Sequence, residues 1–349
     1  MNRLSQLLWA LLLFCSALQV QAAGSRIVTD MQGRAVEVPE NVESVFTDRF
    51  ASLIVFALDP DLLCNYTFPV GELAKQYISP AYMSGKVYSR NSDEEILKQK
   101  PDVIILGNMT GSDDPDELQE RLKIPVLMIN FRLNDYPRTF QFLGELLHRE
   151  EKASPILQFL DDYIVSLNRK FSKIPEDKKP RVYYAEGMKG LNTEPSNSFH
   201  SQVIDYLGAT NVADIQLGGM HGMTPVSMEQ VMNWNPDVIL VWSGMPAGMT
   251  MGGKKSTDSN TMTHIRTNPL WSGISAVNQS QLYQIPALPF GWFDRPPSSN
   301  CIAGVLWTAR VLYPEQLDFD VDQALLEYFQ LFYHVELSKQ QLTHLLKGN

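Results

Sequence analysis

Apolar and polar positions along the chain fall into the same fifteen-residue pattern twice. SDEEILKQKPDVIIL (Ser92–Leu106) and SMEQVMNWNPDVILV (Ser227–Val241) align without a gap at an offset of 135 residues, which pairs Ser92 with Ser227, Glu94 with Glu229, Pro101 with Pro236 and Asp102 with Asp237. Each copy opens on a Ser suited to cap a helix and a Glu that favours its positive end. Each helix then stops, because proline pushes the residue before it out of helical geometry and has no donor of its own. Val-Ile-Ile-Leu and Val-Ile-Leu-Val follow, short continuous β-branched runs of the kind that suit a parallel strand covered on both faces. A helix followed by a buried strand, repeated, predicts two similar α/β lobes.

The rest of the pattern fits that reading. Arg26–Asp30 and Arg34–Pro39 alternate around Gln32-Gly33 and predict a hairpin. Strand character at 42–46, 62–66 and 124–130, interrupted by helical character at 51–58, implies a parallel sheet. From Tyr136 to Phe171 there is no strand signal. Phe140, Leu143, Leu146 and Leu147, then Ile156, Leu157, Leu160, Tyr163 and Ile164, recur at helical spacing. A helix of some 22 residues from Glu151 would be about 33 Å long, a strut between lobes. Strands at 181–185 and 281–285, a helix over 200–207 and helices from Ile302 and Gln323 complete the chain. The expected fold is α/β: two Rossmann-like parallel-sheet lobes joined by a single long linker helix. The lobes are placed at 23–135 and 177–349, the second with a helical tail, and the linker at 136–176.

Composition narrows the class. The chain has 349 residues, 44% of them hydrophobic, enough for two cores of ordinary size. Arg3, the apolar run Leu7–Leu18 and Val20-Gln21-Ala22 read as a secretory signal spanning 1–22. Cys15 does not make a lipidation site, because Phe14 stands where a small residue is needed. Removing that signal leaves 28 basic against 39 acidic residues, a formal charge of −11, which argues against nucleic acid and anionic membrane surfaces as partners. Cys64 and Cys301 fall in different lobes and read as free thiols. A secreted α/β enzyme is the rival class, but no G-x-S-x-G, H-E-x-x-H, C-x-x-C or dinucleotide glycine fingerprint is present. GMTMGGKK (Gly248–Lys255) misses a nucleotide P-loop by one residue, since Lys255 replaces the magnesium-binding hydroxyl. In the same loop Met245, Met249 and Met251 read as flexible apolar filling rather than a soft-metal site.

In open parallel sheets, ligands collect beyond the carboxyl ends of the strands. That rule selects Arg49, Asn108 and Arg132 in the first lobe, with Tyr88 and Arg90 leading into the repeat helix. In the second lobe it selects Glu186, Asn197, His200, His221, Trp242, Trp292, Phe293 and Arg295. The arginines suit an anionic ligand through paired donors. The aromatic run suits stacking on a planar chelate, and His200 and His221 are the candidate metal ligands.

The signal, the twin motifs, the single linking helix, the stretch HIRTNPLWSGISAVNQSQLYQIP (His264–Pro286) and the helical tail together resemble the periplasmic substrate-binding proteins of ABC importers for ferric siderophores, haem, cobalamin and related metal ligands. The resemblance covers nearly the whole mature chain. It implies a monomeric periplasmic protein without catalytic activity or cofactor. Such a protein captures a metal chelate, most readily a ferric siderophore, with nickel, cobalamin, haem or molybdate as alternatives. It also implies delivery to an ABC permease and its ATPase in the inner membrane, with Glu94 and Glu229 as the docking carboxylates, and a modest closing tilt of the lobes.

Overall fold

The computed structural model describes residues 24–89, 92–109, 113–196, 198–216, 222–242, 244, 250–251, 254–255 and 261–347. The expected leader lies outside these residues. No helix among them is long and apolar enough to cross a membrane.

The first strands, β1 (Ser25–Thr29) and β2 (Ala35–Pro39), form the expected antiparallel hairpin. The N-terminal lobe then runs through β3 (Val45–Thr47), helix α1 (Ser52–Leu58), β4 (Asn65–Tyr66), β5 (Val87–Tyr88), α2 (Asp93–Gln99), β6 (Val103–Gly107), α3 (Pro115–Leu122) and β7 (Val126–Ile129). Strands β3, β6 and β7 are parallel, and a bridge from Val45 to Leu63 carries the β4–β5 pair beside β3.

The linker begins with α4 (Tyr136–Leu146), reverses direction and continues as α5 (Glu150–Phe159), a π-helical stretch (Leu160–Val165) and α6 (Ser166–Phe171). The last three form one uninterrupted run of 22 residues. The C-terminal lobe comprises β8 (Arg181–Ala185), β9 (Asn192–Thr193), α7 (Gln202–Tyr206), β10 (Thr210–Asn211), β11 (Thr224–Pro225), α8 (Met228–Trp234), β12 (Val238–Val241), the short hairpin β13 (Thr250–Met251) and β14 (Lys254–Lys255), α9 (Thr261–Thr267), α10 (Ser275–Asn278) and β15 (Leu282–Gln284). Its parallel sheet has the order β10-β8-β12-β15. Three helices follow: α11 (Cys301–Leu312), α12 (Val321–Tyr333) and α13 (Lys339–Leu346).

The repeat is structural down to single bonds. Ser92 caps α2 by accepting from the Glu95 amide (3.3 Å), and Ser227 caps α8 by accepting from the Gln230 amide (3.1 Å). Both helices end in a left-handed residue, Lys100 at φ 51° and Asn235 at φ 39°, immediately before the proline. The matched aspartates then tie the new strand to the start of its neighbour. Asp102 accepts from the amides of Glu43 (2.8 Å) and Ser44 (2.9 Å), and Asp237 accepts from that of Arg181 (3.0 Å).

Alternation along each central strand divides the apolar surface into three cores. Val103 and Ile105, with Val238 and Leu240, face a central core that runs through both lobes. Ile104 and Leu106 face an outer core beneath α2 and α3, and Ile239 and Val241 face its counterpart in the other lobe. Helix α1 is buried along its whole length and packs against α12 as well as α4 and α5. The helical tail therefore belongs to the shared middle of the molecule as much as to the second lobe. Cys64 and Cys301 are both free.

Candidate binding site between the lobes

The N-terminal half of the site is built where β3 turns into α1. Asp48 accepts from the amides of Phe50 (2.9 Å), Ala51 (2.8 Å) and Gly107 (3.1 Å), which pins the turn to the end of β6. Burial pushes its carboxyl up to about 7, against the opposing pull of those amides and of the Arg49 charge. Phe50 stacks on Phe131 with ring centroids 4.9 Å apart, and Phe131 meets Phe199 of the other lobe at 4.9 Å. Gly107 makes this ladder fit, since a Cβ there would overlap Phe50. Two guanidinium groups lie on the ladder: Arg49 over Phe50 at 4.8 Å and Arg132 over Phe199 at 5.3 Å. Both arginines are exposed, and among the described residues neither forms an ion pair. Asn108, the next residue after Gly107, is exposed beside them and reaches Asn130.

The C-terminal half is organised around a buried arginine. Arg295 lies 2.9 Å from Glu186 and 3.0 Å from Glu194, pairs with Asp294, and sits over the Trp242 ring at 4.4 Å. All three carboxyl groups are buried, as is Arg295 at 4% exposure. Asp294 also receives the Tyr184 hydroxyl (3.1 Å) and lies 2.8 Å from His200 Nδ1. Glu194 receives the Ser198 hydroxyl (2.9 Å) and the Met223 amide (2.8 Å).

Their protonation follows from these neighbours. Burial raises Glu186 far above the usual carboxylate range, and the charges of Glu194 and Asp294 add to it despite Arg295. Burial would also raise Asp294, but Arg295, His200 and the Tyr184 hydroxyl outweigh it and hold Asp294 low. That upward shift favours the uncharged form of Glu186, which brings three carboxyl groups and one guanidinium closer to balance, the condition for burying them together.

The geometry joins Arg49, Arg132, Asn108, Glu186, His200, Trp242 and Arg295 in one continuous array across the lobes. Tyr88 lies on a separate aromatic shelf at the same sheet edge, 5.6 Å from Tyr66. Trp292 and Phe293 do not fit a stacking role. They are buried at 0% and 1% exposure, packed against Phe329 and Tyr184 respectively, because the loop presses onto α11 at Gly304, where any Cβ would overlap the Trp292 carbonyl. Arg90, Asn197 and His221 lie outside the described residues. For metal, Glu194, His200 and Asp294 present ligand atoms within 4.8 Å of one another, but Arg295 already supplies positive charge to two of them. The docking candidates, Glu94 and Glu229, are exposed at matched positions of α2 and α8, on the opposite side of the sheets from the central core.

A family model described as periplasmic binding protein matches residues 74–288, a span that takes in the Tyr88 shelf, the linker and most of the C-terminal network. The chain belongs to this family. The molybdate-binding protein MolA of Haemophilus influenzae is 26% identical over 365 aligned residues, 95% of this chain and 97% of its own length. An ABC transporter solute-binding protein from Sulfurospirillum deleyianum superposes with a TM-score of 0.80 at 27% identity, covering 92% of this chain and 99% of that one. The structure of MolA with molybdate bound superposes at 0.67 and 22% identity, over 90% and 99% of the two chains. The α/β class and the two-lobed architecture of this binding protein are those of its relatives, which are solute-binding transport proteins and not enzymes.

Proposed function

We propose that this binding protein captures a small anionic metal species between its lobes and hands it to an ABC permease, with no covalent chemistry of its own. One observation carries the anionic reading. Arg49 and Arg132 are exposed guanidinium groups resting on phenyl rings without a carboxylate partner among the described residues, whereas Arg295 is consumed by its own carboxyl groups. A guanidinium held on a ring keeps its in-plane donors free for an oxygen-rich anion, and contacts from both lobes would favour the closed state. A tetrahedral oxyanion of the molybdate type is the first reading, supported by the ligand named for the Haemophilus influenzae relative. A ferric chelate is the second, favoured by the exposed Tyr88 beside Tyr66, which offers a planar ligand a surface that an oxyanion would not use. Exposed Glu94 and Glu229 are the proposed contacts to the permease, and the periplasm the proposed compartment.

Calorimetric titration of the purified protein with molybdate, tungstate, sulfate and a ferric catecholate tests the reading. Molybdate and tungstate should bind, and Arg49→Ala or Arg132→Ala should each weaken binding about tenfold to a hundredfold, the weight of one charge-assisted hydrogen bond. Binding of the chelate alone would move the assignment to the second reading. An unchanged affinity in the double variant would remove the arginines from the site.

A further inference from the structure

Large apolar side chains exposed singly are ordinary on a protein surface. Among the described residues they include Leu97 at 49% and Met232 at 42% exposure. These two occupy the same place in the repeat, separated by its offset of 135 residues. Each stands three residues after the glutamate of its copy, and residues three apart share one face of a helix. The matching extends to the residue before each: Ile96 is the one buried position of α2 and Val231 the one buried position of α8. The two helices are anchored alike, so they present alike a carboxylate and an apolar peg. Neither Glu94 nor Glu229 forms an ion pair among the described residues, and neither peg contributes to the cores.

We infer that Leu97 and Met232 are the apolar anchors of the docking surface, and that its partner presents two equivalent recesses, each a hydrophobic pocket flanked by a cationic side chain. The surface repeats with the lobes, so the same contact is made twice, once on each lobe. The division of labour follows from general interface physics. Exposed carboxylates steer and orient a cationic partner, while desolvation of a large apolar side chain in a fitted pocket supplies most of the hold. This inference rests on the reading of the chain as the delivery component of an importer.

The test uses the full mature protein and its permease–ATPase complex in nanodiscs. Leu97→Gln and Met232→Gln should each weaken docking roughly tenfold and to a similar extent, the double variant should dock barely at all, and molybdate affinity and thermal stability should stay at wild-type values. If the Leu97→Gln, Met232→Gln double variant docks as tightly as wild type while Glu94→Gln, Glu229→Gln docks weakly, the apolar anchors are refuted and delivery stands. If both double variants dock and support uptake normally, neither the apolar anchors nor the glutamates form the docking surface; if the wild-type protein itself does not dock to the complex, the delivery reading is lost. A loss confined to one of the two single variants would refute the equivalence of the two anchors.

Discussion

Sheet register places Arg49 and Glu186 at the same point of their two lobes, four residues beyond Val45 and Val182, which pair with the matched residues Val103 and Val238. Beyond β3 one lobe places an exposed arginine, and beyond β8 the other places a buried glutamate. By the same register Gly107 corresponds to Trp242: an empty position lets Phe50 and Phe131 stack, and a full ring floors Arg295. The lobes are alike where their helices face outward and unlike where their strands face each other. A repeated scaffold thus keeps its caps and aspartate staples in both lobes, while the strand ends proposed to face the ligand differ electrostatically, one carrying exposed arginines and the other a buried arginine enclosed by carboxyl groups.

Removing the arginine from each side gives the largest contrast. Arg295→Met leaves buried carboxyl groups without their counter-charge and should destabilise the protein by about 3–5 kcal/mol, whereas exposed Arg132→Met should cost less than about 1 kcal/mol. Urea unfolding of the two variants measures both. Equal losses would erase the distinction between a structural and a receptive arginine.

A second contrast lies in pH. Burial lets Asp48 hold its proton up to about 7, while an unfolded aspartate releases it near 3.8. Between these values the folded state binds the extra proton, so this group's contribution to stability falls as pH rises and is flat above 7. Asp48→Asn keeps an acceptor for Phe50 and Ala51 but aims an amide at the Gly107 N–H, so it is less stable than wild type at low pH. The difference should shift towards the variant by roughly 3 kcal/mol between pH 4.5 and 7.5. Thermal melts of the pair across this range decide it, and a constant gap would show that Asp48 is already ionised at the lower limit.

The same asymmetry explains what could be read from the sequence. The scaffold was legible because its determinants are local: Ser at a cap, Pro after a left-handed turn, and β-branched runs that need no partner to be recognised. The grouping of Arg49, Arg132, Glu186, His200, Trp242 and Arg295 as candidates was within reach because the strands that they follow were visible. Glu194 was not, since it follows the two-residue strand β9, too short for a period, and meets Arg295 only through a contact 101 residues away. Trp292 and Phe293 misled for the opposite reason. An aromatic run in a loop looks exposed until Gly304, on a helix beyond it, lets the loop sink into the core.

The smallest effect probes the part of the comparison in which the lobes agree. Asp102 and Asp237 do the same work, but Asp102 receives two amides and Asp237 one. Each bond contributes about 1 kcal/mol in net terms, so Asp102→Ala should lower stability by about 2 kcal/mol and Asp237→Ala by about 1. Neither touches the ligand-facing ends, so anion affinity should be unaffected in both. A loss of affinity from either variant would mean that the staples transmit to the site, and that the lobes' common scaffold and their divergent ends are not separable. Unchanged affinity together with a twofold ratio of stability losses would place the resemblance between the lobes in the folding of each sheet and their difference in the handling of ligand.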